Sequence, residues 1–356
     1  MRRFHLVTLV LAAVALIPLL GCTSQSDSGK RLNGGGSTFI DPIMQEWAYT
    51  YKDVAGVVID YQAKGSGNGI QQMTEKTIQF GCTDAPMKKA QLEKALATGG
   101  EVIHIPMIMG PVVPAYNVPE ITKPLTFNGA VLADIYLGKI KKWNDPALRA
   151  LNPGIDLPDR DVSPVYRSEA SGTTNIFKEF LAKCSPEFKD KVGVSTEPTW
   201  PKGIGTGERE NSGVAGRIKS SPGTIGYVEL RYAKQSGISY GAVKNRAGKA
   251  IVGSPETVTA AAAEAMKVKQ VMEPYSLHEL TYSLTDAEGE NSYPISGLSY
   301  SVIYRKQPAG AGQALKAFLN WAVHDGQAIA PKLDYAPLPA ELVKKIEARL
   351  EQIELQ

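Results

Sequence analysis

The chain has 356 residues, 43% hydrophobic and 21% charged, which excludes a polar disordered tract and an integral membrane protein and is long enough for about two domains. Lys and Arg number 39 against 36 Asp and Glu, and the resulting +3 is too weak for a nucleic-acid coat or a polybasic membrane patch. Three cysteines exclude a disulfide scaffold and four histidines leave few transition-metal ligands, so neither a cofactor nor a metal is expected.

Residues 1–21 read as a targeting segment: Arg2 and Arg3 form a basic start, and Phe4 to Leu20 is apolar apart from His5 and Thr8. The apolar run is short for a membrane span, which needs about 20 residues, and Pro18 interrupts it. Leu19-Leu20-Gly21-Cys22 resembles the lipobox of bacterial lipoproteins, in which cleavage leaves the cysteine to carry a lipid; an ordinary secretory signal is the alternative. The polar stretch within 22–31, Thr23 to Gly29, then reads as a tether between the lipid on Cys22 and a folded domain. Loss of residues 1–21 removes Arg2 and Arg3 and leaves the mature chain close to neutral.

Strand-like and helix-like segments alternate after the tether. Ile43, Trp47 and Tyr51 mark a helix face behind the start signal Asp41-Pro42, and Val57 to Tyr61 reads as a strand. Val102 to Ile105 is a second strand, and the Pro- and Gly-rich stretch from Ile105 to Pro119 is either a crossover between lobes or a kinked edge strand with turns. Thr224 to Val228 is another strand, while Leu315, Phe318, Leu319 and Ala322, then Leu342, Ile346, Leu350 and Ile353, mark apolar helix faces. The rhythm predicts α/β layers with parallel strands. Cys82 and Cys184 fall in different predicted domains and are expected to be separate buried thiols, although an exported compartment permits a disulfide.

Chemistry concentrates in segments that join small residues and hydroxyls to a helix start. They are Gly34-Gly35-Gly36-Ser37-Thr38-Phe39, Gly65-Ser66-Gly67-Asn68-Gly69 and Arg167-Ser168-Glu169-Ala170-Ser171-Gly172-Thr173-Thr174. The first turn of a helix leaves backbone N–H groups unpaired and carries partial positive charge. Glycine lets an anion approach the backbone, hydroxyls add donors, and Arg167 supplies a planar, formally charged fork. Each segment alone is compatible with ordinary helix capping. Their joint occurrence after strands points to an oxyanion site, because open α/β sheets bind ligands beyond the carboxyl ends of their strands. Phe80-Gly81-Cys82-Thr83-Asp84-Ala85-Pro86 adds a carboxylate at a strand end. The chain contains no P-loop, no complete G-x-G-x-x-G, no G-x-S-x-G elbow and no H-E-x-x-H, and its histidines stand in no recognisable catalytic setting.

These segments, together with Asp134 to Ile140, Lys142-Trp143, Pro222 to Val228 and Leu333 to Pro339, resemble the phosphate-binding proteins of bacterial high-affinity phosphate ABC importers, in order over about residues 32–350. The resemblance implies an α/β, two-lobed periplasmic-binding-protein fold with a hinge and a ligand cleft. Lobe I would comprise 32–110 plus 296–356, and lobe II 111–295. It further implies a non-enzymatic, monomeric receptor for inorganic phosphate, held at a bacterial membrane through Cys22 and delivering its ligand to permease subunits. Carried over position by position, the donors would be Thr38, the main chain of Phe39, Ser66, Arg167, Ser171, Gly172 and Thr173, with Asp84 the acceptor. Cys82-Thr83 stands where Ala-Ser is more usual, and Glu169-Ala170 where Asp-Gly is common. Glu169 is then either an orienting partner of Arg167 or a plain surface glutamate.

A carboxylate in an anion site is self-defeating unless the ligand still has a proton to donate. Phosphate and arsenate near neutral pH have one and sulfate has none, so Asp84 is expected to reject sulfate. The remaining alternatives are a receptor for another tetrahedral oxyanion and a secreted phosphatase, which lacks an evident base or metal set.

Overall fold

The computed structural model describes residues 30–268 and 280–356. The targeting segment, Cys22 and nearly all of the tether lie outside these residues; β1 already begins at Arg31, the last position assigned to the tether.

The first part of the chain alternates strand and helix: β1 (Arg31–Gly36), α1 (Asp41–Ala55), β2 (Val58–Gln62), α2 (Ser66–Thr74), β3 (Phe80–Thr83) and α3 (Lys89–Gly99). The long β4 (Val102–Asn117) follows. Beyond it come β5 (Thr126–Phe127), α4 (Gly129–Tyr136), α5 (Pro146–Leu151), β6 (Ser163–Arg167), α6 (Gly172–Cys184), α7 (Pro186–Lys191), β7 (Thr206–Glu208), α8 (Glu210–Ser220), β8 (Thr224–Glu229) and α9 (Leu230–Ser236). Short strands β9 (Ser239–Tyr240), β10 (Ala242–Lys244) and β11 (Ala250–Ile251) precede α10 (Pro255–Lys267), β12 (Ser296–Tyr304), α11 (Ala309–Val323) and α12 (Ala340–Leu350).

Local chemistry accounts for the helix faces. In α1, Pro42 occupies the first turn, Ile43, Trp47 and Tyr51 are buried at four-residue spacing, and Gly56 closes the helix in the left-handed conformation. Leu342, Ile346 and Leu350 line the buried face of α12, whereas Ile353 is buried beyond the helix end.

The main sheet runs β2-β1-β3-β12-β4-β8-β6-β7. Strands β1, β2 and β3 are mutually parallel, as are β6, β7 and β8. Within this sheet the expectation of parallel strands holds only inside these two groups. β12 is antiparallel to both β3 and β4, and β8 is antiparallel to β4, so the sheet is mixed and the groups run in opposite directions.

The stretch from Ile105 to Pro119 is no edge strand. Its β portion lies inside β4, whose first half pairs with β12 up to Pro111 and whose second half pairs with β8 from Val112. Prolines fit badly in a central strand because they donate no ladder hydrogen bond. Here Pro106 lies at the register shift opposite Ser299 and Tyr300, and Pro111 lies where the pairing partner changes. β3 ends beside Tyr300 and β8 ends beside Val112, so the carboxyl ends of both parallel groups converge on the middle of β4.

Cys82 and Cys184 are both free thiols, the first buried in the core and the second half-buried. Among the described residues no helix is long and apolar enough to cross a membrane.

Gly36, at the end of β1, has φ +127°, and a Cβ there would lie 2.2 Å from the Cys82 carbonyl oxygen and 2.9 Å from Gly69 Cα. Both obstacles are backbone and cannot step aside. Gly36→Ala is expected to lower the unfolding free energy by about 2–4 kcal/mol, read from urea denaturation; an unchanged midpoint would contradict this packing.

Candidate functional site

Each functional segment follows the carboxyl end of a strand. Ser37, Thr38 and Phe39 follow β1, Asp84 follows β3, Arg167 ends β6, and Ser66 opens α2 after β2. Ser171 is the N-cap of α6: its hydroxyl accepts from the Thr174 amide at 3.2 Å. Gly172 and Thr173 form the first turn of that helix, with Gly172 lying directly against Asp84: a Cβ at Gly172 would sit 2.5 Å from Asp84 Oδ2.

Hydrogen bonds bring most of the sequence-selected residues together across the middle of the sheet, one set around Ser66 and Asp84 and another around Asn211. The Gly172 amide donates to Ser66 Oγ at 3.0 Å, and the Asp84 amide donates to the same hydroxyl at 3.3 Å. Asn211 Nδ2 donates to Thr38 Oγ1 at 2.8 Å and to Thr173 Oγ1 at 3.2 Å. The main-chain N–H of Phe39 donates to Ser37 Oγ at 3.0 Å. A further cross-link runs from the Gly67 amide to the Ala170 carbonyl at 3.1 Å.

The charged pair sets the electrostatics. Asp84 is buried, and its Oδ1 accepts from Ser37 Oγ and Ser299 Oγ, both at 2.7 Å. Its Oδ2 lies 2.6 Å from Ser37 Oγ and 3.5 Å from Ser66 Oγ. Burial pushes the Asp84 carboxyl up to about 6, against the stabilising hydroxyl bonds of Ser37 and Ser299 and the positive charge of Arg167. Arg167 is 1% exposed. Its Nε donates to Glu169 Oε1 at 3.0 Å and its Nη2 donates to the same oxygen. Nη1 is buried without a hydrogen-bond partner. A buried guanidinium group normally satisfies all its donors, so the unpaired Nη1 of Arg167 is available to an anionic acceptor.

Glu169 stands as a partner of Arg167 rather than a plain surface glutamate: it is half-buried, and its Oε1 accepts from both Nε and Nη2. The same oxygen, Oε1, accepts the Glu210 amide at 2.8 Å, holding Glu210 at φ +63°.

Residues that sequence reasoning passed over also belong here. Ser37 stood inside a motif already singled out, one position before Thr38. Ser299 is buried within the apolar β12 and carries no local signal; only the pairing of β12 with β3 brings it to Asp84. Asn211 lies in no motif, and its place follows from the turn between β7 and α8. Among the described residues no group of three or more His, Cys, Asp or Glu could hold a metal ion.

A family model described as a PBP superfamily domain matches residues 23–325. The phosphate-binding protein PstS of Pasteurella multocida is 38% identical over 339 residues, covering 95% of this chain and 94% of that protein. The PstS protein of Xylella fastidiosa strain 9a5c is 39% identical, covering 92% of this chain and 86% of that protein. Among solved structures, the phosphate-binding protein of Stenotrophomonas maltophilia superposes with a TM-score of 0.69 at 18% identity, over 90% of this chain and 93% of that one, a likeness of fold.

Because its folded pKa of about 6 lies above its ordinary value, Asp84 favours folding when protonated. That contribution is full below the ordinary carboxyl range and is lost as pH rises through 6. In ligand-free solution the unfolding free energy is expected to gain about 1–2 kcal/mol more between pH 7.5 and pH 5 in the unaltered chain than in Asp84→Asn. Parallel pH profiles for the two proteins would remove Asp84 from this role.

Proposed function

The chain belongs to the PBP superfamily and, within it, to the phosphate-binding proteins its relatives are named for; on that premise we propose that it is an extracytoplasmic receptor for inorganic phosphate in an ABC importer. The observation that carries the reading is the buried Arg167 with its unpaired Nη1, set against a buried Asp84. Arg167 supplies the charge. The hydroxyls of Thr38, Ser66, Ser171 and Thr173 and the amides of Phe39 and Gly172 surround the same place as donors, with local rearrangement where they now bond one another. An ionised Asp84 accepts the proton that phosphate retains. Leaving that acceptor against a fully ionised sulfate costs on the order of 1–3 kcal/mol or more. Arsenate shares the shape and protonation of phosphate and is accepted.

We take lobe I as 32–110 plus 296–356 and lobe II as 111–295, hinged where β4 exchanges β12 for β8. The change of partner at Pro111 and Val112 supports this division. The chain is a binding protein rather than an enzyme, as its relatives' names indicate. In this reading a monomer, anchored to a bacterial membrane through lipidated Cys22, hands phosphate to permease subunits; the lipobox-like sequence supports the anchor.

Calorimetric titration at pH 7.5 is expected to give one phosphate per chain, binding of arsenate and no heat with sulfate. At pH 5, where Asp84 is largely protonated, sulfate is expected to begin to compete, and Asp84→Asn should admit it at both pH values. Absence of phosphate binding would sink the reading. Separately, Cys22→Ala is expected to move the expressed protein from the membrane fraction to the soluble one; retention in membranes would refute the anchor.

A further inference from the structure

Asn211 is completely buried in the first turn of α8 and touches three other elements. Its Nδ2 donates to Thr38 Oγ1, in the loop after β1, at 2.8 Å, and to Thr173 Oγ1, in the first turn of α6, at 3.2 Å. Its Oδ1 accepts the Glu229 amide, at the end of β8, at 3.1 Å, and its own amide points to Thr38 Oγ1 at 3.4 Å. The Glu229 N–H can only donate, so it requires the amide oxygen of Asn211 on its side. The NH₂ group must then face both hydroxyls.

We propose that Asn211 is a positioning residue for the oxyanion site, fixing the hydroxyls of Thr38 and Thr173 as donors toward the ligand and tying them together as the cleft closes. The inference rests on the phosphate reading above. A threonine hydroxyl has one hydrogen and can both donate and accept. When its oxygen already accepts from Asn211, its hydrogen must point elsewhere, and a phosphate whose remaining proton faces Asp84 offers acceptors to it. Asn211 thus turns two ambivalent hydroxyls into donors. Thr38 follows β1 and Thr173 follows β6, so one NH₂ group spans the two oppositely directed strand groups. The turn that delivers Asn211 is itself held from the site: Glu210 keeps its left-handed φ while its amide donates to Glu169 Oε1, the oxygen that grips Arg167. Asn211 is therefore linked through Glu210 and Glu169 to Arg167, on the same side of the cleft as Thr173. The energetic separation between specifying a donor direction and merely packing the turn is what a mutant cycle measures.

The test is a double-mutant cycle on phosphate affinity by calorimetry, with the melting temperature of each ligand-free variant recorded. Asn211→Ala is expected to weaken phosphate binding about tenfold in the natural background. In a Thr38→Val, Thr173→Val background, where the hydroxyls it directs are gone, the same change should cost less than about threefold. An equal factor in both backgrounds would mean that Asn211 only packs α8, and would overturn the proposal. Should Asn211→Ala fail to fold, Asn211→Asp keeps the size and the acceptor for the Glu229 amide while removing the donors. It is expected to lose at least as much affinity, and phosphate binding as tight as the natural chain's would equally overturn the proposal. If the unaltered chain itself binds no phosphate, the functional reading falls first and this inference with it.

Discussion

β12 begins opposite Pro111 and β8 ends opposite Val112, so a single strand, β4, serves as backbone for two parallel strand groups pointing at each other. Most other features follow from that register. Side chains that decorate strand carboxyl ends, ordinarily spread along one edge of an open sheet, are here brought face to face. Helix N-termini follow strand carboxyl ends in the same α/β connections, so α2 and α6 arrive at this point with their first turns forward. Polar residues of both groups thus meet between the two ends, carried by the short connections that follow the strands.

That geometry also creates the site's main energetic problem. Arg167 and Asp84 are both buried, and an unpaired buried charge costs several kcal/mol. The chain handles the two differently. Arg167 receives a carboxylate partner, Glu169, on two of its nitrogens, and one nitrogen is left without a protein acceptor. Asp84 receives hydroxyls, from Ser37, Ser299 and Ser66, which stabilise its charge without neutralising it. A cationic partner at Asp84 would hold the carboxylate firmly ionised and would also attract any anion, whatever its protonation. Hydroxyl partners keep Asp84 an acceptor, and its carboxyl stays close enough to neutral pH to be poised rather than fixed.

The parts of the molecule that depend on local sequence were legible from it. The helix faces of α1, α11 and α12 showed their spacing, and the hydroxyl-rich helix starts showed their composition. The role of Glu169 is not legible in the same way, because its reach to Arg167 depends on the turn that carries it. What the sequence could not display were pairings between distant segments. The direction of β12 between β3 and β4 is a tertiary fact, and with it come the mixed sheet and the arrival of Ser299 at Asp84. Asn211 is the same case in the other strand group: an asparagine at a helix start reads as a routine turn residue until β8, α6 and the β1 loop surround it.

Near-neutral net charge looks like poor equipment for binding an anion, yet it suits a site of this construction. A diffuse positive surface would attract every anion and be screened by physiological salt beyond about 8 Å. Buried amides and hydroxyls act over one bond length, escape that screening, and come with directions. Direction is what allows discrimination, because a donor array accepts any tetrahedral oxyanion until one acceptor is placed among the donors. In the proposed site Asp84 would be that acceptor, and low surrounding charge would let it discriminate, since strong surplus positive charge would overwhelm the cost of one unmatched carboxylate. On the proposed reading, low net charge and the inward Asp84 carboxylate would be two sides of one selectivity mechanism, in which the ligand is distinguished by the proton it still carries.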